Sequence, residues 1–394
     1  MASLSQRVIA LLSSMRLSCA LLLLLGLLTW LGTLEQAEHG LYEVQRKYFE
    51  SYFLVHDVGG LSIPLPGGNL VLSVLFLNLF VGGIARLRKG SRNVGVLVAH
   101  VGVALLLVSG FMKLHFSEEG HVTLFEDGRA NTYQSYHRWE IAVYRRLPDG
   151  SAEEHLIPQE SFAAALASDG VDERLVFDDP RLPFELELSQ VFANCQRRPK
   201  GPMFEVDVPV IDGEYLQEGR RVPDAEMNVA GAYVGLVAKD GGGRRNGLLW
   251  GRDPFPLRHA AAGATWNVHL RKERYPMPFT LVLDDFQKED HPRTGMPKSF
   301  SSDVTVVEGG VARPVRISMN EPLRADGLVV YQSGWGPQDA LPGSPLFSTL
   351  AVVRNPADKY PLYACLLIAA GLTLHFSRKL IGYVRAESAR AGAQ

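Results

Sequence analysis

Of the side chains able to do chemistry, His100 has the most unusual setting: it is the one ionisable group in the apolar run Val94 to Met112. A titratable group at membrane depth is costly to leave unpaired in hydrocarbon, so its presence there points to a use. At ~1.5 Å of rise per residue from Val94, it sits about 9 Å in from the end of a helix. A neutral imidazole in that place can ligate a metal or haem iron, bond a neighbouring helix or relay a proton. His375 lies in another apolar run, Tyr360 to Phe376, at a similar depth. Two histidines at one level could hold one haem from opposite faces. The alternative is that His375, close to Ser377, Arg378 and Lys379, belongs to the headgroup zone. The amide of Asn78, in a third run, suits bonding to a neighbouring helix.

Other chemistries lack their residues. Cys19, Cys195 and Cys365 share no CxxC or CxxCH spacing, which excludes a dithiol redox centre, a c-type haem attachment site in this chain and a thiolate zinc site. Gly241-Gly242-Gly243 is followed by Arg244-Arg245 and no helix pattern, so it reads as a hairpin or loop rather than a phosphate cradle. No nucleophile elbow is present, and His155, His259, His269 and His291 are too scattered to suggest a metal cluster.

The elements that must position His100 are apolar and long. A mean hydropathy of +0.02 conceals a partition, with long apolar runs near the two ends and a polar stretch of ~240 residues between them. Four segments approach the ~20 residues that a hydrocarbon core requires: Leu17 to Leu34, Leu70 to Ala85, Val94 to Met112 and Tyr360 to Phe376. The first follows Arg7 but is not succeeded by a small-residue cleavage site, so it reads as a retained anchor. Arg7, Arg16, Arg86, Arg88, Lys89, Arg92, Arg378, Lys379, Arg385 and Arg390 flank one set of span ends against a single acid, Glu387. That bias places both termini in the cytoplasm and the central region outside a bacterial inner (plasma) membrane. The central region holds 26 Lys and Arg against 36 Asp and Glu, a balance suited to solubility or to steering a basic partner and not to nucleic acid.

Within it, apolar and polar residues alternate over Trp139 to Tyr144, Phe184 to Leu188, Phe279 to Leu283 and Asp303 to Val307. Turn residues such as Pro148-Asp149-Gly150 bound these runs. Packed antiparallel sheets are expected, with one helical stretch near Ser161 to Ala167. Leu182 to Leu188 and Met277 to Leu283 echo each other at a spacing of about 95 residues, which suggests either two similar β modules or a common strand pattern met twice. The expected fold is a membrane protein with four transmembrane α-helices, three N-terminal and one C-terminal. A large β-rich periplasmic domain is inserted between the third and fourth. The expected regions are 1–116, 117–358 and 359–394.

Layout and local motifs together resemble the ResB/CcsB family of System II cytochrome c biogenesis. Ser14-Met15-Arg16-Leu17 leading to Leu31-Gly32-Thr33-Leu34 is similar to the family's start, and Leu77-Asn78-Leu79 with Arg86 to its second span. His100-Val101-Gly102 is similar to its histidine-bearing third span. His291-Pro292-Arg293-Thr294-Gly295 through Phe300-Ser301-Ser302-Asp303-Val304 resembles its outer loop and strand. The most specific match is Ile317-Ser318-Met319-Asn320-Glu321-Pro322-Leu323 with Gly327 and Val330-Tyr331-Gln332-Ser333-Gly334-Trp335. Read physically, that stretch is a turn at Asn320 and Pro322, a tight reversal at Gly327 and a returning strand. The close of the fourth span departs from the family, reading His375-Phe376-Ser377-Arg378-Lys379 where a Ser-His-Arg-Arg-like run is usual.

The resemblance implies a non-autonomous subunit that acts with a CcsA/ResC-type membrane partner. Together they would deliver haem outward and attach its vinyl groups to the two thiols of CxxCH in an apocytochrome c. A thioredoxin-like thiol reductant is a further implied partner, because the thiols must be reduced. The partner's tryptophan-rich motif is absent from this sequence. His100 matches the family's axial haem ligand, which makes haem the implied transient cofactor. Two rival readings stay open: a free-standing haem or quinone electron carrier using His100 and His375, and a cofactor-free membrane scaffold.

Overall fold

The computed structural model describes residues 4–88, 90, 93–168, 174–201, 205–292, 297–337 and 344–391. Lys89 and Arg92 among the flanking basic groups, and Arg293, Thr294 and Gly295 of the loop motif, lie outside these residues. The chain divides into two compact units, Met1–Ser117 with Arg354–Gln394, and Glu118–Val353.

The helices are α1 (Leu4–Leu12), α2 (Met15–Val44), α3 (Gly68–Asn78), α4 (Val94–Phe116), α5 (Ala163–Ala167) and α6 (Tyr360–Ala391). All but α5 belong to the first unit, where π-helical segments Gln45–Glu50 and Leu79–Ala85 prolong α2 and α3. Four stretches are long and apolar enough to cross a membrane: Met15–Glu50, Gly68–Ala85, Val94–Phe116 and Tyr360–Ala391. The first and last outrun the apolar segments expected to end at Leu34 and Phe376. Helical geometry does not stop where apolarity stops, and the Arg, Lys, Leu, Ala and Glu residues after Phe376 are all good helix formers.

The first helix is broken instead at Gly40, whose φ of 79° and ψ of 166° are open to glycine at little cost. Beyond it the chain folds back, so that Val44, Tyr48 and Phe49 lie against Gly32. Leu28, Val44, Tyr48, Leu54 and Val71 share one buried cluster. An antiparallel hairpin follows, Phe53–Val58 with Leu61–Pro66, turning at Gly59-Gly60, both at positive φ.

α4 and α6 meet through small residues. A Cβ on Gly371 would stand 2.5 Å from the Ala99 nitrogen, and one on Gly95 would stand 2.7 Å from the His375 nitrogen. Where lipid is as apolar as leucine, such close backbone approach is a main source of helix association.

The second unit is β-rich. Its largest sheet has ten strands among the described residues and is organised on two long ones, Arg129–Arg146 and Ala264–Asp290, which pair antiparallel. Their pairing shifts register between Pro276 and Leu281, and they contribute to two separate cores. Trp139, Ile141, Val143, Trp266 and Val268 pack with Phe184, Leu186, Leu188 and Leu236 of a four-stranded sheet. Tyr133, Phe279, Leu281 and Leu283 pack with Val304, Val306, Val330 and Leu350. The echoed segments therefore bury matching alternate residues, Phe184, Leu186 and Leu188 in one core and Phe279, Leu281 and Leu283 in the other.

Gly371→Ala is expected to cost about 1–3 kcal/mol by overpacking, seen as a lower thermal midpoint of the full chain in detergent. Gly382→Ala, with nothing near its would-be Cβ, should not lower it.

Candidate functional site

His100 lies half-buried on α4, with Nδ1 2.9 Å from the backbone oxygen of Gly83. A carbonyl oxygen only accepts, so Nδ1 carries the proton and donates it. In the neutral ring Nε2 then keeps its lone pair, and no described side chain or backbone group bonds it. A ring in that tautomer presents Nε2 as the nitrogen able to accept or ligate. The contact face of α4 toward α6 is Gly95, Ala99 and Gly102, and His100 points off that face to the π-segment Leu79–Ala85.

The second predicted histidine stands differently. The backbone of His375 lies beside Gly95, five residues before His100 on α4, an offset of about 7.5 Å along the helix. Its ring meets Phe376 edge-on, with centroids 5.4 Å apart. No hydrogen bond or ring contact joins it to His100 among the described residues. The donor set at His100 is thus a single imidazole nitrogen, which fits one axial position of haem iron and leaves the opposite position to another source. Among the described residues no group of three His, Cys, Asp or Glu could hold a metal ion.

Asn78 bonds its neighbours as its type suggests. Its amide donates to Leu12 O at 2.8 Å and Ser14 O at 3.2 Å, while Ser18 Oγ donates to its Oδ1 at 2.6 Å. Arg86 Nη1 donates to Ser13 Oγ at 3.0 Å. Both fix the C-terminal end of α3 and its π-helical extension to the break between α1 and α2.

Sequence reasoning missed a second polar cluster in this unit. The buried Tyr48 hydroxyl donates to Glu35 Oε2 at 2.6 Å and lies 2.5 Å from His56 Nδ1. Lys47 Nζ donates to Glu35 Oε1 at 2.7 Å. The tyrosine proton is given to the carboxylate, so His56 Nδ1 must donate to the phenolic oxygen. Only the break at Gly40 brings residues 35 and 48 together, and no sequence spacing announces that.

In the second unit the most specific motif is structural, as its turn chemistry predicts. Gly327 has φ 76° between strands Leu323–Ala325 and Leu328–Gly336. Ser302 Oγ lies 2.7 Å from both Gln332 Oε1 and Ser348 Oγ, and Gln332 Nε2 donates to Ser348 Oγ at 3.0 Å, all three residues being buried. Beside this strand, Tyr136 bonds Ser333 and stacks on His121, with ring centroids 4.9 Å apart. Lys272 Nζ donates to Tyr136 O at 2.7 Å and stands 4.1 Å over the Trp139 ring. Burial pulls Lys272 down to about 8, with Glu226 acting in the opposite sense. It likewise pulls His121 down, helped by Lys272, and pushes the Cys195 thiol up to about 12, which keeps that thiol protonated and unreactive. His155 is buried beside Glu153 and Asp179, and His269 Nε2 lies 3.1 Å from Asp253 O, placements that serve packing and not a shared site.

This is a chain with four membrane-length helices, His100 on the third of them, and a large β-rich unit between the third and fourth. Residues 261–345 match the ResB-like family. The chain is also similar to the cytochrome c biogenesis protein CcsB of Synechococcus sp. (strain RCC307), with 41% identity over 58 residues. That similarity spans 14% of this chain and 13% of the length of the relative. The ResB/CcsB resemblance is thereby supported.

A pH dependence follows from Lys272. Between about 8 and its ordinary 10.5 the unfolded chain holds a proton that the folded chain has released, so stability rises with pH through that window. Below about 8 the cost of the buried ammonium is borne in full. The difference between the unfolding midpoints of wild type and Lys272→Met, followed by tryptophan fluorescence, should narrow or reverse between pH 8 and 10. A pH-independent difference would contradict this.

Proposed function

We propose that this chain is a membrane subunit of cytochrome c biogenesis that handles haem as a substrate in company with a CcsA/ResC-type partner. The family match supports the biogenesis role, and the observation that carries haem handling is His100, with Nδ1–H given to Gly83 O and Nε2 free. In this reading the four long apolar helices cross the inner membrane with both termini in the cytoplasm, in keeping with the basic residues around Arg86 and Arg378. The β-rich unit is then periplasmic. His100 gives one axial contact near the cytoplasmic side, and the partner gives the other, since His375 is offset along the helix. Haem iron so held is kept in a defined orientation, and its vinyl groups are the part of the substrate that thiols of an apocytochrome add across. This chain's own residues bind and orient. The half-buried imidazole excludes water on one side, and the hydrogen bond to Gly83 keeps Nδ1 from ligating in place of Nε2. The β-rich unit holds or admits the apocytochrome, and a thioredoxin-like reductant keeps its cysteines as thiols.

The test is haem content and absorption spectrum of the protein purified from membranes, alone and with a CcsA-type partner, in wild-type and His100→Ala forms. Haem should be retained with the partner and should fall to the level of the partner alone in the variant, with assembly intact. Equal haem in both forms would discard the ligand role. Haem held by the lone chain would favour an independent carrier, and its absence from every preparation would favour a scaffold.

A further inference from the structure

The carbonyl that fixes His100 belongs to a glycine packed directly against the imidazole ring. The π-segment Leu79–Ala85 ends α3, and the Arg86 amide reaches back five residues to Val81 O at 3.1 Å. Gly83 therefore lies in the last turn, among carbonyls with no amide ahead of them to accept from. Such oxygens also carry the negative end of the helix dipole, which favours an imidazole N–H donor. A Cβ built on Gly83 would stand 2.8 Å from His100 Nδ1, 3.2 Å from His100 Cε1 and 3.1 Å from Leu79 Cδ1. Any side chain at position 83 would thus take the space of the ring. On the other side, a Cβ on Gly82 would stand 3.1 Å from Ser13 Cα, and Asn78 and Arg86 bond the chain between Leu12 and Ser14, so the segment has little room to retreat.

We infer that Gly83 is a positioning residue for His100: its backbone oxygen sets the imidazole tautomer, and its missing side chain makes room for the ring. The consequence for haem rests on the proposed ligand role of His100, whereas the consequence for the tautomer does not. Gly83 touches no substrate and acts through the histidine alone.

Three readouts of the full chain in complex with its partner test this. The first is nitrogen-15 NMR of selectively labelled histidine in the haem-free complex. The resonance pair lost in His100→Ala should show a protonated Nδ1 and an unprotonated Nε2, and in Gly83→Ala the Nε2-protonated form should appear. The second is haem per complex, which should fall about tenfold or more in Gly83→Ala, as on loss of an outer-shell partner to a metal-bound histidine. The third is the thermal midpoint, which Gly83→Ala should lower in the wild-type background but not in His100→Ala, where the clashing ring is gone. The third readout keeps the inference testable where Gly83→Ala assembles poorly. An unchanged tautomer in Gly83→Ala, or an equal loss of stability in both backgrounds, would overturn it. A shifted tautomer with haem retained in both Gly83→Ala and His100→Ala would uphold the positioning of His100 and overturn the ligand role.

Discussion

A backbone oxygen that can only accept a hydrogen bond governs the helical unit. Gly83 O forces one tautomer on His100, and the bond forms only because two helices approach as closely as glycine allows. The rest of the unit holds that approach in place. Asn78 and Arg86 fasten the α3 side to the residues between α1 and α2, while Gly95, Ala99 and Gly102 press α4 onto α6. α4 is thus fixed on two faces, and His100 lies on the face toward the π-segment. Between helices this apolar, polar bonds have few competing partners, which makes a few of them enough to set register.

The β-rich unit solves a different problem. Two strands of 18 and 27 residues are too long to serve one core, and their pairing shifts register where the core changes. Three other strands of that sheet bury the polar side chains Ser302, Gln332 and Ser348, which bond one another. Left unpaired, each would cost about 1–3 kcal/mol, so the group is tolerable only as a set. That is a physical reason for Ser302, in the Phe300–Val304 motif, and Gln332, in the most specific stretch, to occur in one chain, and it needs no ligand.

Period-two alternation located the strands at Trp139, Phe184, Phe279 and Asp303, because sheet burial follows the same period. Apolar runs likewise located the four long helices, and the position of His100 in one of them was legible from its isolation alone. What the sequence did not disclose depends on contacts distant along the chain. The Glu35, Tyr48 and His56 cluster exists only because Gly40 folds the helix back. The hairpin after it had a readable sign, Gly59-Gly60 between alternating residues, which was masked by its place in a short loop between spans. Depth estimated from each run separately put His100 and His375 at similar levels, whereas helix packing sets His375 beside Gly95.

The family match and the candidate ligand fall in different units, and this separates what each can support. Residues 261–345 include long stretches of strand in the β-rich unit and the hydrogen-bonded pair Ser302 and Gln332, but not His100. Similarity there therefore speaks for a shared β architecture and for the biogenesis role attached to it. The proposed ligand role is carried by other means: an imidazole in an apolar helix of membrane-spanning length, an Nδ1–H given to Gly83 O, and a second ring nitrogen with no partner among the described residues. The two lines of argument share no residue, so that loss of haem on removing His100 would add to the family match a chemical fact that the match does not contain.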